Sequence, residues 1–165
     1  MALSVNLNAI LSWSYTNALD LSTVTDAAQI SVSDTLASGT GLDQADQIWH
    51  DRRTLAATSE NLDLAGSLTN AFGATLTFAR IKGILIKNRT ATAGFNLTVG
   101  GAAANQFPLF SDVSDKLPIG PDGFFFYWDP SAAGKVVTAG TGDQLKIDAG
   151  ANTVEYDIVL IGASA

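Results

Sequence analysis

The side chains that could carry out chemistry are few in this sequence, and none of them forms a familiar catalytic motif. His50 is the only histidine, and it precedes Asp51 in the segment Gln47–Leu55, whose residues are typical of a strand. A serine nucleophile would need this histidine as its base, yet no Gly-x-Ser-x-Gly turn is present to hold such a serine. We therefore predict that the chain is not an enzyme and has no catalytic residues.

The sequence also gives little support for a metal site or a cofactor site. The chain has no cysteine, which excludes thiolate ligands and disulfides, and one histidine leaves only sites for oxygen-preferring cations such as Ca²⁺. Four aspartates fall in predicted loops, without the spacing of an EF-hand: Asp112, Asp115, Asp122 and Asp129. We predict no cofactor and no dedicated metal site, and we leave open whether a loop binds Ca²⁺.

Other residues are better suited to binding a partner. Trp49, Arg52 and Arg53 lie close together in the predicted strand Gln47–Leu55, and Trp and Arg are frequent anchors of protein interfaces. We predict that these three side chains contact a partner. The N-terminal part of the chain is a further candidate for such a contact.

The run Phe124–Trp128 is aromatic at every position. Because successive side chains of a strand point to opposite faces, one side of this run can fill a core while the other needs a cover. We predict that the outward side, with Phe125 and Tyr127, contacts a partner. A sugar-stacking platform and simple core filling are the alternatives.

Composition also points to contact surfaces. Charged residues make up only 15% of the 165 residues, against about 25% in typical soluble domains, so apolar patches are expected on the exterior. The formal net charge of −7 argues against nucleic acid as a partner. No apolar run approaches the ~20 residues of a spanning helix, and the N-terminus lacks the features of a signal peptide. We expect no membrane partner and a protein that associates with itself as a dimer or trimer.

The charges are unevenly distributed along the chain. Residues 1–51 contain six aspartates and no Lys or Arg, whereas residues 64–111 contain four basic side chains and no acidic one. Such segregation predicts cross-strand pairing inside one subunit or complementarity between neighbouring subunits. Two unrelated solvated faces would give the same pattern.

The elements that position these residues are strands. Val5, Leu7, Ala9, Leu11, Trp13 and Tyr15 alternate with mostly polar residues, and Gly, Pro, Asn or Asp closes about nine or ten short strands along the chain. A short strand at Leu19–Val24 and a helical turn within Ser67–Ala74 are further possibilities. The sequence thus predicts an all-β, antiparallel two-sheet sandwich, with a jelly roll preferred over an immunoglobulin-like arrangement. We treat residues 1–165 as one domain, in which residues 1–45 form N-terminal strands or an arm that contributes to oligomer contacts.

The centre of this sandwich is predicted at Thr75–Gly101. Ile84, Leu85 and Ile86 are apolar on both faces of a strand, which is typical of an interior strand covered on both sides. A polar turn and a second alternating strand follow. We predict that the two strands pair as a hairpin.

Several segments resemble small structural proteins of tailed bacteriophages. The resemblance covers roughly residues 46–165, and its segments are Ile48–Ala56, Glu60–Gly66, Leu76–Lys82, Leu85–Asn88, Leu97–Gly101, Ala133–Gly134, Val137–Gly140, Asp143–Ile147 and Tyr156–Gly162. Some proteins of this type are decoration, or cement, proteins with β-sandwich folds. The resemblance brings no catalytic residues with it.

This resemblance implies a function and a location. The chain would bind the outer surface of the phage head, bridge capsomers and stabilise the shell, with the major capsid protein and copies of itself as partners. It would be assembled in the host cytoplasm and end on the capsid exterior of the virion. The alternative is a tail- or fibre-associated module that binds glycan on the host surface.

Overall fold

The protein is described from a computed structural model, which covers residues 2–110, 112 and 114–165. Twelve β-strands account for its regular structure, two or three more than the sequence indicates. In chain order they are β1 (Val5–Ala18), β2 (Thr23–Ser38), β3 (Gln44–Ala45), β4 (Gln47–Ala56), β5 (Ser59–Asp63), β6 (Arg80–Asn88), β7 (Leu97–Gly100), β8 (Lys116–Ile119), β9 (Phe124–Trp128), β10 (Lys135–Val136), β11 (Gln144–Asp148) and β12 (Thr153–Ala163). Within the covered ranges, no helix is long and apolar enough to cross a membrane.

Two antiparallel sheets form the body of the molecule. The larger sheet has the order β10-β6-β12-β4, with β9 also paired to β6, and the smaller sheet has the order β5-β11-β7-β8. All strand pairs within these two sheets are antiparallel, and the predicted sandwich is confirmed. In the smaller sheet, Pro118 lies in the edge strand β8, where a residue without an N–H donor is tolerated.

The core fills the space between these two sheets. The larger sheet contributes alternating residues of β6 and β12, among them Ile84, Ile86, Ile158 and Leu160, all of which are buried. The smaller sheet contributes a matching set, namely Leu62, Leu97, Val99, Leu145 and Ile147. The period-two alternation of these strands therefore specifies which side chains are withdrawn from water.

The predicted central hairpin is only half correct. β6 is an interior strand, flanked by β12 on one side and by β9 and β10 on the other. However, β7 pairs with β11 and β8 in the opposite sheet, so β6 and β7 do not form a hairpin. The polar segment between them crosses from one sheet to the other, because β9 and β12 already occupy both edges of β6.

The most unusual element is a long hairpin at the N-terminus. β1 and β2 pair in register from Val5 and Leu36 to Ala18 and Thr23, and the turn between them spans residues 19–22. The short strand expected at Leu19–Val24 is thus wrong: its first residues form this turn and the rest begins β2. We call this hairpin, residues 5–38, the arm. Likewise, residues 67–74 contain turns rather than a helical turn.

Candidate interaction surfaces

His50, the one histidine of the sequence, is exposed on β4, and its cross-strand neighbour on β12 is the apolar Val159. No group of three or more His, Cys, Asp or Glu side chains that could hold a metal ion occurs in residues 2–110, 112 and 114–165. Several charged side chains are instead paired with one another within the chain.

A buried tyrosine organises the best-connected polar cluster. The hydroxyl group of Tyr156 donates a 2.5 Å hydrogen bond to Glu60, whose carboxylate also accepts from Nε of Arg53 at 2.8 and 2.9 Å. Burial, and then the hydrogen bond to Glu60, raise the pKa of Tyr156 well above its ordinary value. Arg53 also bonds Asp51 at 2.9 Å. Because each charge has a partner, the cluster serves to join β4, β5 and β12.

Three of the five predicted contact residues face inward. Trp49 is only 5% exposed and belongs to the core. Its cross-strand partner on β12 is the inward-facing Leu160. Phe125 and Tyr127 pack against the same core. The prediction that these two rings form the outward side of the aromatic run is wrong, because the register of β9 on β6 turns the odd-numbered rings inward.

The two predicted arginines lie on β4 and are already paired within the chain. Nε of Arg52 donates a 2.7 Å hydrogen bond to Asp157 across the strand pair, and Arg89 reaches the same carboxylate at 3.0 Å. The bond from Arg52 contributes most to lowering the pKa of Asp157. Arg52 is more than half exposed and stays accessible to a partner, whereas Arg53 is tied to Glu60 and Asp51. Contact with a partner remains a prediction for both.

The outward side of the larger sheet carries an apolar surface. We call the side turned away from the core the outer face; it displays Phe124 and Phe126, which are 68% and 37% exposed. Leu85 pairs with Phe126 on one side and with Val159 on the other, so these three side chains form one row across the sheet. We call this row, Leu85, Phe126 and Val159, the outer strip.

The next row of the outer face lies beneath the root of the arm. Trp128 and Ile161 flank Gly83 in this row, and Val5 and Leu36 of the arm pack on it in a small apolar cluster of their own. Leu36 is fully buried there. The arm therefore begins on the outer face of its own subunit and then leaves it.

The rest of the arm is exposed on one apolar side. Opposite residues of an antiparallel pair share a face, so the register places Leu7, Ala9, Leu11, Trp13 and Tyr15 of β1 on the same side as Val24, Ala28, Ile30 and Val32 of β2. Most of their large side chains are exposed. The alternation in the sequence predicts this face correctly, but only the structure reveals that nothing in the subunit covers it.

The charge segregation is not explained by ion pairs among the described residues. Arg52, Arg53 and Arg89 do pair with carboxylates, but no ion pair there joins an aspartate of residues 1–51 to a basic side chain of residues 64–111. None of the ion pairs found in the covered ranges involves the arm, although it carries Asp20, Asp26 and Asp34 and no basic residue.

No protein-family model, no curated protein and no solved structure matches the chain significantly.

Proposed function

We propose that this chain is a structural protein of a tailed-bacteriophage virion, namely a decoration protein that binds the outer surface of the head. In this role it acts by contact area and carries out no reaction. It holds neighbouring capsomers together, with the major capsid protein and further copies of itself as partners.

One observation supports an assembly role above all others. The sandwich carries an arm with one apolar face whose large side chains are mostly exposed, and Phe124 and Phe126 are exposed on the outer face. Exposed apolar surfaces of this extent mark sites of protein association in soluble proteins. The further step from an assembly protein to a phage head rests on the resemblance of residues 46–165 quoted above.

The physical basis of shell stabilisation would be linkage. A protein that binds the expanded, mature shell and has less affinity for a loosened one shifts the equilibrium toward the former by mass action. Many copies on one shell multiply modest contacts through avidity. Arg52, with an exposed guanidinium on the edge strand β4, is the predicted shell contact that remains accessible.

The test uses purified protein and expanded, emptied heads that lack it. We expect the protein to sediment with the heads and to raise the temperature at which they break open. Arg52→Ala should weaken this binding, while Thr54→Ala, two residues along the same side of β4, should not. Absence of binding to heads, together with binding to isolated tails, would overturn the assignment to the capsid exterior.

A second candidate function is supported by the aromatic side chains on the outer face. Phe124 and Phe126 are exposed on β9, and Phe126 stacks on the half-buried Trp128 with the ring centroids 6.2 Å apart. Such a shelf is the feature expected of a tail- or fibre-associated module that binds host glycan. A glycan array probed with the purified protein tests this, with Phe124→Ser expected to abolish any signal and uniform absence of signal arguing against it.

A further inference from the structure

We infer that the apolar face of the arm binds the outer strip of a second copy of this chain, so that the subunits of a homo-oligomer exchange arms. The inference goes beyond the proposed function and does not depend on it, because it concerns contacts between copies in the absence of any capsid.

The two faces of the arm differ in whether their side chains have partners within the subunit. On the polar face, Ser33 and Thr35 donate hydrogen bonds of 3.1 Å to Asn8 and Asn6 across the strand pair. These side chains satisfy one another and are compatible with water. On the opposite face, Leu11 and its neighbour Ile30 have no cover from the subunit, at 66% and 59% exposed.

The arm cannot cover this face by itself. The root of the arm packs on the body through Val5 and Leu36, and the turn at its far end presents Leu21 fully exposed. A lone two-stranded hairpin is at best marginally stable in water, because it has nowhere to bury an apolar face. The arm therefore needs an external surface to remain ordered along its length.

The contacts at the root of the arm indicate what kind of surface the rest of the arm can bind. There, Val5 and Leu36 already pack on Trp128 and Ile161 of the outer face. The outer strip lies in the adjacent row of the same sheet, and a groove of about 130 Å³ opens between it and Leu7. Every copy of the chain thus offers both an uncovered arm and a partly exposed apolar row of the type that the arm already contacts.

The arm is acidic, and the row beside the outer strip holds Lys87 opposite Asp157, whose carboxylate is paired with Arg52 and Arg89. The arm contains three aspartates and no basic residue. Lys87 lies in the row beside the outer strip, is exposed, and makes none of the ion pairs found within the covered ranges. An acidic arm lying along this row would give Lys87 a partner. The arm would therefore bind this row more strongly than it would bind an acidic surface.

The dimensions of the arm set an upper limit on the area of this contact. The 14 residues of β1 span roughly 45 Å, and two strands are about 10 Å wide, so the ribbon covers at most roughly 450 Å², including the outer strip and the rows beside it. In a closed dimer or ring each subunit gives one arm and receives one, which doubles this limit to about 900 Å². Stable interfaces bury about 800 Å² on each partner, so the limit admits a stable contact.

The first test is the mass of the purified protein as a function of concentration, measured by analytical ultracentrifugation. We expect a homo-oligomer, and we expect Leu11→Ser and Phe126→Ser each to weaken it about 10- to 100-fold. The matched control is Ile10→Ser: Ile10 is also 66% exposed but lies on the polar face, so its replacement should leave the association unchanged. A monomeric wild-type protein, or equal effects of Leu11→Ser and Ile10→Ser, would overturn the inference.

The second test identifies the surface that receives the arm. Because the chain has no cysteine, Leu11→Cys and Phe126→Cys place a single thiol on each surface. The two variants are mixed and treated with a short bismaleimide. Arm exchange predicts a cross-linked dimer from the mixture. Cross-linking of Leu11→Cys only to itself would show that arms pack on arms. Protection of the Leu11→Cys thiol only upon addition of heads would show that a capsid protein covers the arm. Either result overturns the proposal that the outer strip receives the arm.

Discussion

The indole nitrogen of Trp128 donates a 2.7 Å hydrogen bond to a carboxylate oxygen of Asp34, and this bond joins the body to the root of the arm across 94 residues of sequence. Lys82 secures the same region, because its buried ammonium group donates to the carbonyl oxygen of Gly41 in the loop that follows the arm. Burial lowers the pKa of Lys82. These two contacts attach the root of the arm and the loop after it to the body.

Removal of the indole donor should loosen this root. Trp128→Phe retains an aromatic ring over Gly83 but loses the bond to Asp34, and a hydrogen bond to a charged group contributes about 1.5–3 kcal/mol. We expect hydrogen exchange of the amides around Leu36 to accelerate about 10-fold or more, as measured by mass spectrometry. Trp13→Phe, the same replacement farther along the arm, is the control. Unchanged exchange in Trp128→Phe would mean that apolar packing alone holds the root.

High pH should destabilise the protein through Tyr156. Its pKa is raised in the folded state by burial and by the bond to Glu60, so above about pH 10 the unfolded chain releases the proton first. The unfolding free energy therefore falls as pH increases, by up to about 1.4 kcal/mol per pH unit for this group. Burial and Asp129 also raise the pKa of Tyr127, to about 12, and this adds to the decrease.

Urea denaturation between pH 8 and pH 11 measures this effect. Tyr156→Phe removes the titrating hydroxyl group, so its unfolding free energy should fall less steeply than that of the wild type above about pH 10. Below about pH 9 the two curves should run parallel, which serves as the internal control. Identical slopes at high pH would show that the buried hydroxyl group does not contribute.

Gly162 should not tolerate a side chain. It lies at the register shift between β12 and β6, and an added Cβ would overlap the carbonyl oxygen of Arg80 and approach Phe78 Cδ1 to 2.8 Å. Because a backbone atom is involved, the strand must move, and we expect Gly162→Ala to reduce the unfolding free energy by about 1–3 kcal/mol. At Gly120 an added Cβ meets nothing within 4 Å, so Gly120→Ala is the control. Equal stabilities in urea denaturation would contradict this packing.

The body should fold without the outer part of the arm. Leu7 and Asp34 are opposite each other, so an Asn-Gly turn replacing residues 8–33 can close the shortened hairpin. These residues contribute nothing to the core between the two sheets, and we expect the unfolding free energy to stay within about 1 kcal/mol of the wild type. Loss of a cooperative urea transition would show that the arm supports the body.

The outcomes for individual residues show what local pattern can establish. Alternation identified β1 as a strand, because a period of two is a local property of the chain. It did not reveal that Phe124 and Phe126, rather than Phe125 and Tyr127, face outward. In a strand that is aromatic at every position, pairing register alone decides the face, and a shift of one residue exchanges the two sides.

The sequence by itself determined an all-β chain of low charge, with an N-terminal segment that is apolar on one side of its strands. The tertiary structure decided that β6 and β7 belong to opposite sheets and that Trp49 is in the core. It also decided that the apolar side of the arm projects beyond the body. The reason is physical: strand periodicity is encoded within a few residues, whereas pairing and burial depend on segments that are far apart in sequence.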